Sequence, residues 1–330
     1  MPVQLNVNEN TFGIPEDVAL AIVENIAQAT LNLNRYPDRE FFELRTKLGQ
    51  FLGGISAEQV WAANGSNEIL QQFFTAFGGP GRKALSFGPT YSMYPNLARG
   101  TLTPYFELPR ESDFSLSPDY VSSRIAREKP DIVILCTPNN PTGGSISHEV
   151  ILAAYEAFNG MLVIDEAYQE FSSQPSAIAL LPGRPRLVVS RTMSKAFAFA
   201  GARLGYMAGD PAVVDAMRLV RLPYHLSALT QAAAIAAVDH SSSLLANVEK
   251  IKAQRDRIID GVKKLGLTPF ASDANFVLVG GFKDPAEVFT KLLERGVIIR
   301  NVGLPNTLRI TAGTEAETTK LLAELALVLE

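Results

Sequence analysis

Three short runs of uninterrupted apolar residues constrain the fold of this chain more than any other feature. They are residues 132–136, 161–164 and 187–189, and segments with the apolar spacing of helices separate them. Strands that are apolar on both faces are typical of a parallel sheet covered by helices on both sides. Regular alternation of such strands with helices indicates a doubly wound α/β protein. The sequence therefore predicts an α/β fold with a large, mostly parallel sheet flanked by helices.

Polar side chains follow the ends of four predicted strands. In chain order they are Tyr91, Asn140, Asp165 and Lys195. The carboxyl ends of parallel strands lie at one edge of a sheet, and open α/β sheets bind their ligands there. We therefore expect these four groups to converge on a single site.

The segment 190–206 contains the most reactive of these groups. Thr192, Ser194 and Arg203 accompany Lys195 there, among small residues and glycines. A lysine amine is a nucleophile towards aldehydes, and hydroxyls with a guanidinium suit a phosphate. Together they are what a pyridoxal phosphate enzyme requires. Similar clusters also follow strands on protein surfaces, so this segment alone leaves both interpretations open.

Asp165 ends an apolar strand, where an unpaired carboxylate is costly to bury. A protonated pyridine nitrogen would be a suitable partner, because the positive ring is the electron sink in pyridoxal phosphate chemistry. Cys136 ends the preceding apolar strand, and we interpret it as a small core residue.

Two further features suggest anion binding. Ser66 and Asn67 follow a Gly-Ser turn at the start of a predicted helix, where free amides attract anions, although a plain helix cap is equally consistent. Arg300 and Arg309 lie at strand positions, where guanidinium groups suit a carboxylate or a phosphate. A structural ion pair is the alternative for the two arginines.

The composition narrows the class of protein. Hydrophobic residues make up 47% of the 330 residues, charged residues 19%, and the formal net charge is −4. This charge gives no support for a nucleic-acid partner, and no apolar run reaches membrane-spanning length, so we expect a cytoplasmic protein. One cysteine and three histidines without ligand spacing predict no metal site.

The pattern becomes helical after Pro211 and then mixed, which predicts a second, smaller α+β domain. We expect an N-terminal segment at 1–30 that packs with the small domain, a large cofactor-binding domain at 31–235, and the small C-terminal domain at 236–330. A long alanine-rich helical stretch from about 228 to 265 would join the two domains.

Taken together, these motifs resemble the fold-type I, pyridoxal phosphate-dependent aminotransferases of class I and II, and within them the histidinol-phosphate aminotransferases. The likeness covers nearly the whole chain, with several short motifs in order. They lie at residues 6–10, 35–38, 65–68, 89–91, 139–143, 165–168, 191–195, 200–203 and 308–311.

The resemblance implies a large domain with a mostly parallel sheet of the seven-stranded type, and pyridoxal 5'-phosphate as the cofactor. Lys195 would hold it as a Schiff base and shuttle protons, and Asp165 would pair with the pyridine nitrogen. Asn140 and Tyr168 would bond the phenolic oxygen of the ring, while Tyr91 would stack on the ring face.

The resemblance also implies a homodimer with shared active sites. The residues expected to hold the cofactor phosphate are Ser66, Asn67, Thr192, Ser194, Arg203 and, reaching across from a second subunit, Tyr36. In the same way, Arg309 would bind the α-carboxylate of the amino acid, and Arg300 the phosphate of histidinol phosphate.

The implied reaction is transamination between L-histidinol phosphate and 2-oxoglutarate, giving imidazole-acetol phosphate and L-glutamate in histidine biosynthesis. Asn64 and Tyr224, within motifs typical of the histidinol-phosphate members, would reach the phosphate end of the substrate. An aromatic amino acid aminotransferase, whose family shares almost every one of these motifs, is one alternative, and a pyridoxal phosphate-dependent decarboxylase of O-phospho amino acids is another. A cofactor-sensing regulator is the non-enzymatic alternative, although no DNA-binding module is recognisable.

Two departures from the family pattern affect these expectations. Relatives usually have about thirty more residues before the asparagine-rich segment, in an arm that packs on the other subunit. The segment here also reads Asn10-Thr11-Phe12 where relatives often have Pro-Tyr, so a tyrosine hydroxyl for the substrate phosphate is missing.

Overall fold

The computed structural model describes residues 2–330 and contains twelve strands. The strands are β1 (Val3–Gln4), β2 (Val60–Ala63), β3 (Ala84–Gly88), β4 (Tyr105–Pro109), β5 (Ile132–Cys136), β6 (Met161–Asp165), β7 (Leu187–Thr192), β8 (Gly205–Ala208), β9 (Thr268–Pro269), β10 (Phe276–Gly280), β11 (Val297–Ile298) and β12 (Thr307–Thr311).

Seven of these strands form one sheet in the order β2-β8-β7-β6-β5-β3-β4. The pairs from β7 to β4 are all parallel, whereas β8 runs antiparallel to both of its neighbours. Every residue of β5 is buried, as expected for a strand covered on both faces. The prediction of a mostly parallel seven-stranded α/β sheet is therefore confirmed.

The antiparallel strand β8 was not predicted from the sequence. It begins at Gly205, where an added Cβ would lie 2.2 Å from the carbonyl carbon of Gly65 and from the amide nitrogen of Ser66. Only glycine allows the strand to pass so close to this turn. The turn itself needs glycine too, since Gly65 has φ 90°. These two glycines bring the start of the following helix to the edge of the sheet.

Within residues 2–330, twelve α-helices surround the sheets. They are α1 (Glu16–Thr30), α2 (Phe42–Phe51), α3 (Ser66–Phe77), α4 (Tyr94–Gly100), α5 (Pro118–Glu128), α6 (His148–Glu156), α7 (Pro211–Val220), α8 (Ala228–Asp239), α9 (Ser241–Leu245), α10 (Val248–Lys264), α11 (Pro285–Glu294) and α12 (Glu315–Leu329). No helix within residues 2–330 is both long enough and apolar enough to cross a membrane.

The first helix buries part of its apolar surface against the rest of the described chain. Val18 and Ile22 are buried against α8, but Val23 is exposed. Helix α1 therefore contacts the rest of the chain along a narrower stripe than its apolar residues suggest.

The C-terminal part forms two small sheets. Strands β12, β10 and β9 pair antiparallel in that order, while β1 from the N-terminus pairs parallel with β11. The predicted helical stretch from about 228 to 265 consists of three consecutive helices, α8, α9 and α10. The first break lies at His240, directly before the three serines that begin α9, and serine has a low helix propensity. The domain boundaries stay a prediction, although the pairing of β1 with β11 joins the N-terminal segment to the C-terminal part.

Candidate active site

A cavity of about 470 Å³ lies at the carboxyl edge of the parallel strands. Most of the predicted site residues line it. They are Ser66, Asn67, Tyr91, Asn140, Asp165, Tyr168, Thr192, Ser194, Lys195, Arg203, Arg300 and Arg309. The structure thus brings together side chains that are up to 243 positions apart, from Ser66 to Arg309.

Lys195 extends into the cavity from the loop after β7. Its Nζ donates a hydrogen bond to the carbonyl oxygen of Val7 at 3.1 Å. Burial lowers the pKa of Lys195 to about 8, and the positive charges of Arg309 and Arg203 add to the effect while Glu9 opposes it. A substantial fraction of this amine is neutral near neutral pH, as a nucleophile requires.

Asp165 lies at the end of β6, fully inside the cavity wall. Tyr94 donates a 2.7 Å hydrogen bond to its Oδ2, whereas its buried Oδ1 has no hydrogen-bond partner within residues 2–330. Burial raises the pKa of Asp165 to about 6. A buried carboxylate oxygen without a partner is costly, so this atom is suited to a cationic N–H group.

Hydroxyls and a guanidinium form a cluster beside the first turn of α3. Arg203 donates to Ser194 Oγ at 3.3 Å, and Thr192 donates to the same oxygen at 3.0 Å. A Cβ on Gly65 would lie 2.5 Å from Nη2 of Arg203, so glycine leaves room for the guanidinium. With the free amides at the start of the twelve-residue α3, these donors suit a phosphate.

Tyr91 forms another wall of the cavity. Its hydroxyl donates to Asn67 Oδ1 at 3.2 Å, and its ring packs edge-on against Tyr94 with centroids 5.5 Å apart. Burial raises the pKa of Tyr91, so the hydroxyl stays neutral. A ring that is fixed by this hydrogen bond and this edge contact can support a flat ligand.

Tyr168 also lines the cavity, and it is almost completely buried. Its hydroxyl oxygen accepts hydrogen bonds from Asn8 Nδ2 at 3.0 Å and from Asn140 Nδ2 at 3.4 Å. Asn8 was not singled out as a site residue from the sequence. It belongs to the asparagine-rich motif at 6–10, and its left-handed φ of 55° is the kind of local feature that periodicity does not reveal.

The two arginines do not form the structural ion pair that was the alternative interpretation. Within residues 2–330, neither Arg300 nor Arg309 has a carboxylate within 4.0 Å. Arg309 instead donates to Asn140 Oδ1 at 2.6 Å and to the carbonyl oxygen of Asn6 at 2.7 Å, and its Nε is buried without a partner. The site therefore offers positive charge to an anionic ligand.

Three predicted site residues do not line the cavity of this chain. Asn64 donates to Glu68 Oε2 and to the carbonyl oxygen of His225, so its amide is used within the fold. Tyr36 is 79% exposed and stacks on Tyr224 with ring centroids 4.4 Å apart. Tyr36, Asn64 and Tyr224 thus lie outside the cavity of their own chain, and their roles stay predictions.

A cluster of buried charged residues lies next to Asp165. Arg191, in β7, contacts Glu166 at 3.0 Å and Glu170 at 3.1 Å. Glu166 also accepts from the amide of Ala177 and from Ser176. Because Glu166 directly follows Asp165, this cluster fixes the end of β6.

The fold and the site together define the class of protein. Residues 1–325 match the family described as aminotransferase class I and II, and the chain belongs to that family. The resemblance recognised from the sequence motifs is thus confirmed.

Individual relatives of this chain share one more specific name within the family. The chain is 56% identical over 336 residues to the histidinol-phosphate aminotransferase of Paenarthrobacter aurescens (strain TC1), covering 100% of this chain and 90% of the relative. It is 50% identical to the enzyme of the same name from Thermobifida fusca (strain YX), covering 95% and 86%. Among solved structures, histidinol-phosphate aminotransferase from Sinorhizobium meliloti in complex with pyridoxal-5'-phosphate is 28% identical, with a TM-score of 0.90, covering 100% of this chain and 91% of that one.

Proposed function

We propose that this chain is a histidinol-phosphate aminotransferase with pyridoxal 5'-phosphate as its cofactor. It would interconvert L-histidinol phosphate and 2-oxoglutarate with imidazole-acetol phosphate and L-glutamate, in histidine biosynthesis. The observation that carries the proposal is one cavity containing an amine, an unpartnered buried carboxylate and a phosphate-type donor cluster, in a chain 56% identical to a relative of that name. A cytoplasmic location suits such small-molecule substrates and stays a prediction.

The residues present fit the cofactor. Oδ1 of Asp165 would pair with the ring nitrogen, and Tyr91 would support the ring face. Thr192, Ser194 and Arg203 would bind the phosphate. When bound, pyridoxal phosphate supplies an aldehyde for an amine and a ring that withdraws electrons from the carbon that loses a proton.

Lys195 would serve as the base and acid of the transamination. A pKa of about 8 would allow Nζ to accept a proton from the substrate carbon and then to donate it to the cofactor. Burial keeps water away from this transfer, and the carbonyl of Val7 gives Nζ a resting position when it is not engaged.

The two arginines would select anionic substrates. Glutamate carries carboxylates and histidinol phosphate carries a phosphate, and both groups suit a planar guanidinium. Arg309 would bind the α-carboxylate and Arg300 the phosphate. The buried Nε of Arg309, which lacks a partner within the described residues, is a donor that an incoming carboxylate can satisfy.

We further propose that a second copy of the chain covers the surface that bears the stacked Tyr36–Tyr224 pair. Leu222, beside this pair in sequence, is 76% exposed, and Leu219 on the preceding helix is 87% exposed. Exposed large apolar side chains of this kind mark contact surfaces. In such a homodimer the Tyr36–Tyr224 pair would enter the cavity of the other subunit, with Tyr36 at the cofactor phosphate.

The cofactor assignment is tested with Lys195→Ala. We expect this variant to lose the visible absorbance of the bound cofactor and all transamination, because no other lysine within residues 2–330 lines the cavity. Lys283→Ala, at an exposed position, is the matched control and should behave like the unchanged protein. A Lys195→Ala protein that keeps both properties would refute the assignment.

The substrate assignment is tested by comparing kcat/KM for histidinol phosphate, phenylalanine and tyrosine. We expect histidinol phosphate to be preferred, and Arg300→Ala to reduce kcat/KM for it far more than for the aromatic donors. Preference for phenylalanine or tyrosine would instead identify an aromatic aminotransferase. Release of carbon dioxide from an O-phospho amino acid without use of 2-oxoglutarate would identify a decarboxylase.

A further inference from the structure

The hydroxyl group of Tyr168 is held in an unusual way, because both of its protein neighbours are amide groups. Asn8 Nδ2 lies 3.0 Å and Asn140 Nδ2 lies 3.4 Å from the hydroxyl oxygen. An amide side chain can present either N–H or C=O to a neighbour. The orientation of each amide therefore decides whether Tyr168 accepts or donates.

The amide of Asn8 is oriented by Thr311. The hydroxyl of Thr311 accepts from the backbone N–H of Asn8 at 3.1 Å and donates to Asn8 Oδ1 at 2.9 Å. The opposite orientation of the amide would leave the buried Thr311 proton without an acceptor, which costs about 1–3 kcal/mol. The N–H side of Asn8 consequently faces Tyr168.

The amide of Asn140 is oriented by Arg309. A guanidinium can only donate, and Arg309 Nη1 lies 2.6 Å from Asn140 Oδ1. The N–H side of Asn140 is therefore also left for Tyr168. Arg309 and Thr311 are two positions apart on β12, so one strand orients both amides.

Tyr168 is thus an acceptor towards both amides, and its own proton is left to point at a third group. Within residues 2–330 its hydroxyl has no acceptor as a hydrogen-bond partner. Tyr168 lines the cavity, and burial raises its pKa far above neutrality, so the proton is retained. A ligand oxygen in the cavity can receive this hydrogen bond.

We propose that Asn8 is a positioning residue that fixes the Tyr168 hydroxyl as a hydrogen-bond donor to the ring oxygen of the cofactor. The proposal rests on the function proposed above. Asn140 is expected to bond the cofactor itself and Arg309 to bind substrate, so both can leave their present contacts. Asn8 is the neighbour whose contacts, to Thr311 and Tyr168, need not change during turnover.

The chemical consequence concerns the acidity of the bound cofactor. A hydrogen bond donated to the ring oxygen stabilises its deprotonated, negative form. When the cofactor is bound, such a bond would therefore lower the pKa at which its visible absorbance changes. Asn8→Asp should reverse the donor direction, because a carboxylate at position 8 accepts the Tyr168 proton.

The test is a pH titration of the visible absorbance of the bound cofactor, without substrate. We expect Asn8→Asp to raise the spectroscopic pKa by about 1 to 2, the equivalent of a hydrogen bond to a charged group. In a Tyr168→Phe background the same change should give less than half of that rise. An unchanged or lower pKa, or an equal rise in both backgrounds, would overturn the proposal.

A second pair of variants keeps the test decisive if Asn8→Asp does not fold. Thr311→Val removes the hydroxyl that orients Asn8 and should raise the spectroscopic pKa, whereas Thr311→Ser keeps the hydroxyl and should leave it unchanged. Equal values for the two variants would overturn the proposal. If the unchanged protein binds pyridoxal phosphate with no visible absorbance change, the proposed function fails instead, and the two failures are distinct.

Discussion

Burial and two arginines hold the pKa of Lys195 at about 8, so capture of pyridoxal phosphate by the cofactor-free protein should depend strongly on pH. The nucleophile is the neutral amine, and the capture rate follows its fraction. An ordinary lysine, with a pKa of 10.5, would be almost entirely protonated under the same conditions.

The size of the effect follows from the two pKa values. At pH 7, about one Lys195 side chain in ten is neutral, against about one in 3,000 for an unperturbed lysine, a gain of about 300-fold. The capture rate should rise about eightfold between about pH 6.5 and 7.5 and level off above about pH 9.

The assay is stopped-flow absorbance after mixing cofactor-free protein with pyridoxal phosphate at a series of pH values. Arg309→Leu removes the neighbouring positive charge that has the larger effect on the pKa of Lys195. Both this pKa and the midpoint of the pH profile should therefore rise. Arg300→Leu is the matched control, because Arg300 is not among the charges that act on Lys195. A rate that does not change with pH, or a midpoint near 10.5, would refute the reasoning.

Three further changes test other parts of the structure. Asp165→Asn removes the charge expected to pair with the cofactor ring, so cofactor affinity measured by equilibrium dialysis should fall by about 10- to 150-fold, and an unchanged affinity would contradict that role. Gly205→Ala places a Cβ against the backbone of Gly65, which should cost about 1–3 kcal/mol of the free energy of unfolding and lower the urea midpoint, whereas an unchanged midpoint would show that the turn shifts freely. Glu166→Gln leaves the buried charge of Arg191 with one of its two carboxylate partners, and urea titration should show a loss of about 3 kcal/mol, while a loss below about 1 kcal/mol would mean that Glu170 alone suffices.

The sequence predicted the central sheet and most of the cavity because both depend on local patterns. Apolar runs specify buried parallel strands, and the ends of such strands meet at one edge. Asn140, Asp165 and Lys195 could be assigned to a common site from this rule alone. Arg309, on β12, and Arg300, after β11, could be assigned to the site only from the family motifs. The local sequence does not show whether an arginine contacts a ligand or forms an ion pair.

The parts that were missed depend on contacts between distant segments. Strand β8 is only four residues long, and Gly205 acts through the backbone of Gly65 across the sheet. Asn8 and Thr311 are 303 positions apart, and their pairing has no periodic signature. The motif around Tyr224 predicts a substrate residue, but Tyr224 stacks on Tyr36 and does not line the cavity of its own chain.

The N-terminal ten residues also matter for how the protein is handled. β1 pairs with β11, and the carbonyl oxygens of Asn6 and Val7 accept hydrogen bonds from Arg309 and Lys195. An affinity tag fused close to this segment, or a protease that trims it, would disturb groups that contact the two key cations. Glu330 at the other end is exposed after α12, so a purification tag belongs there.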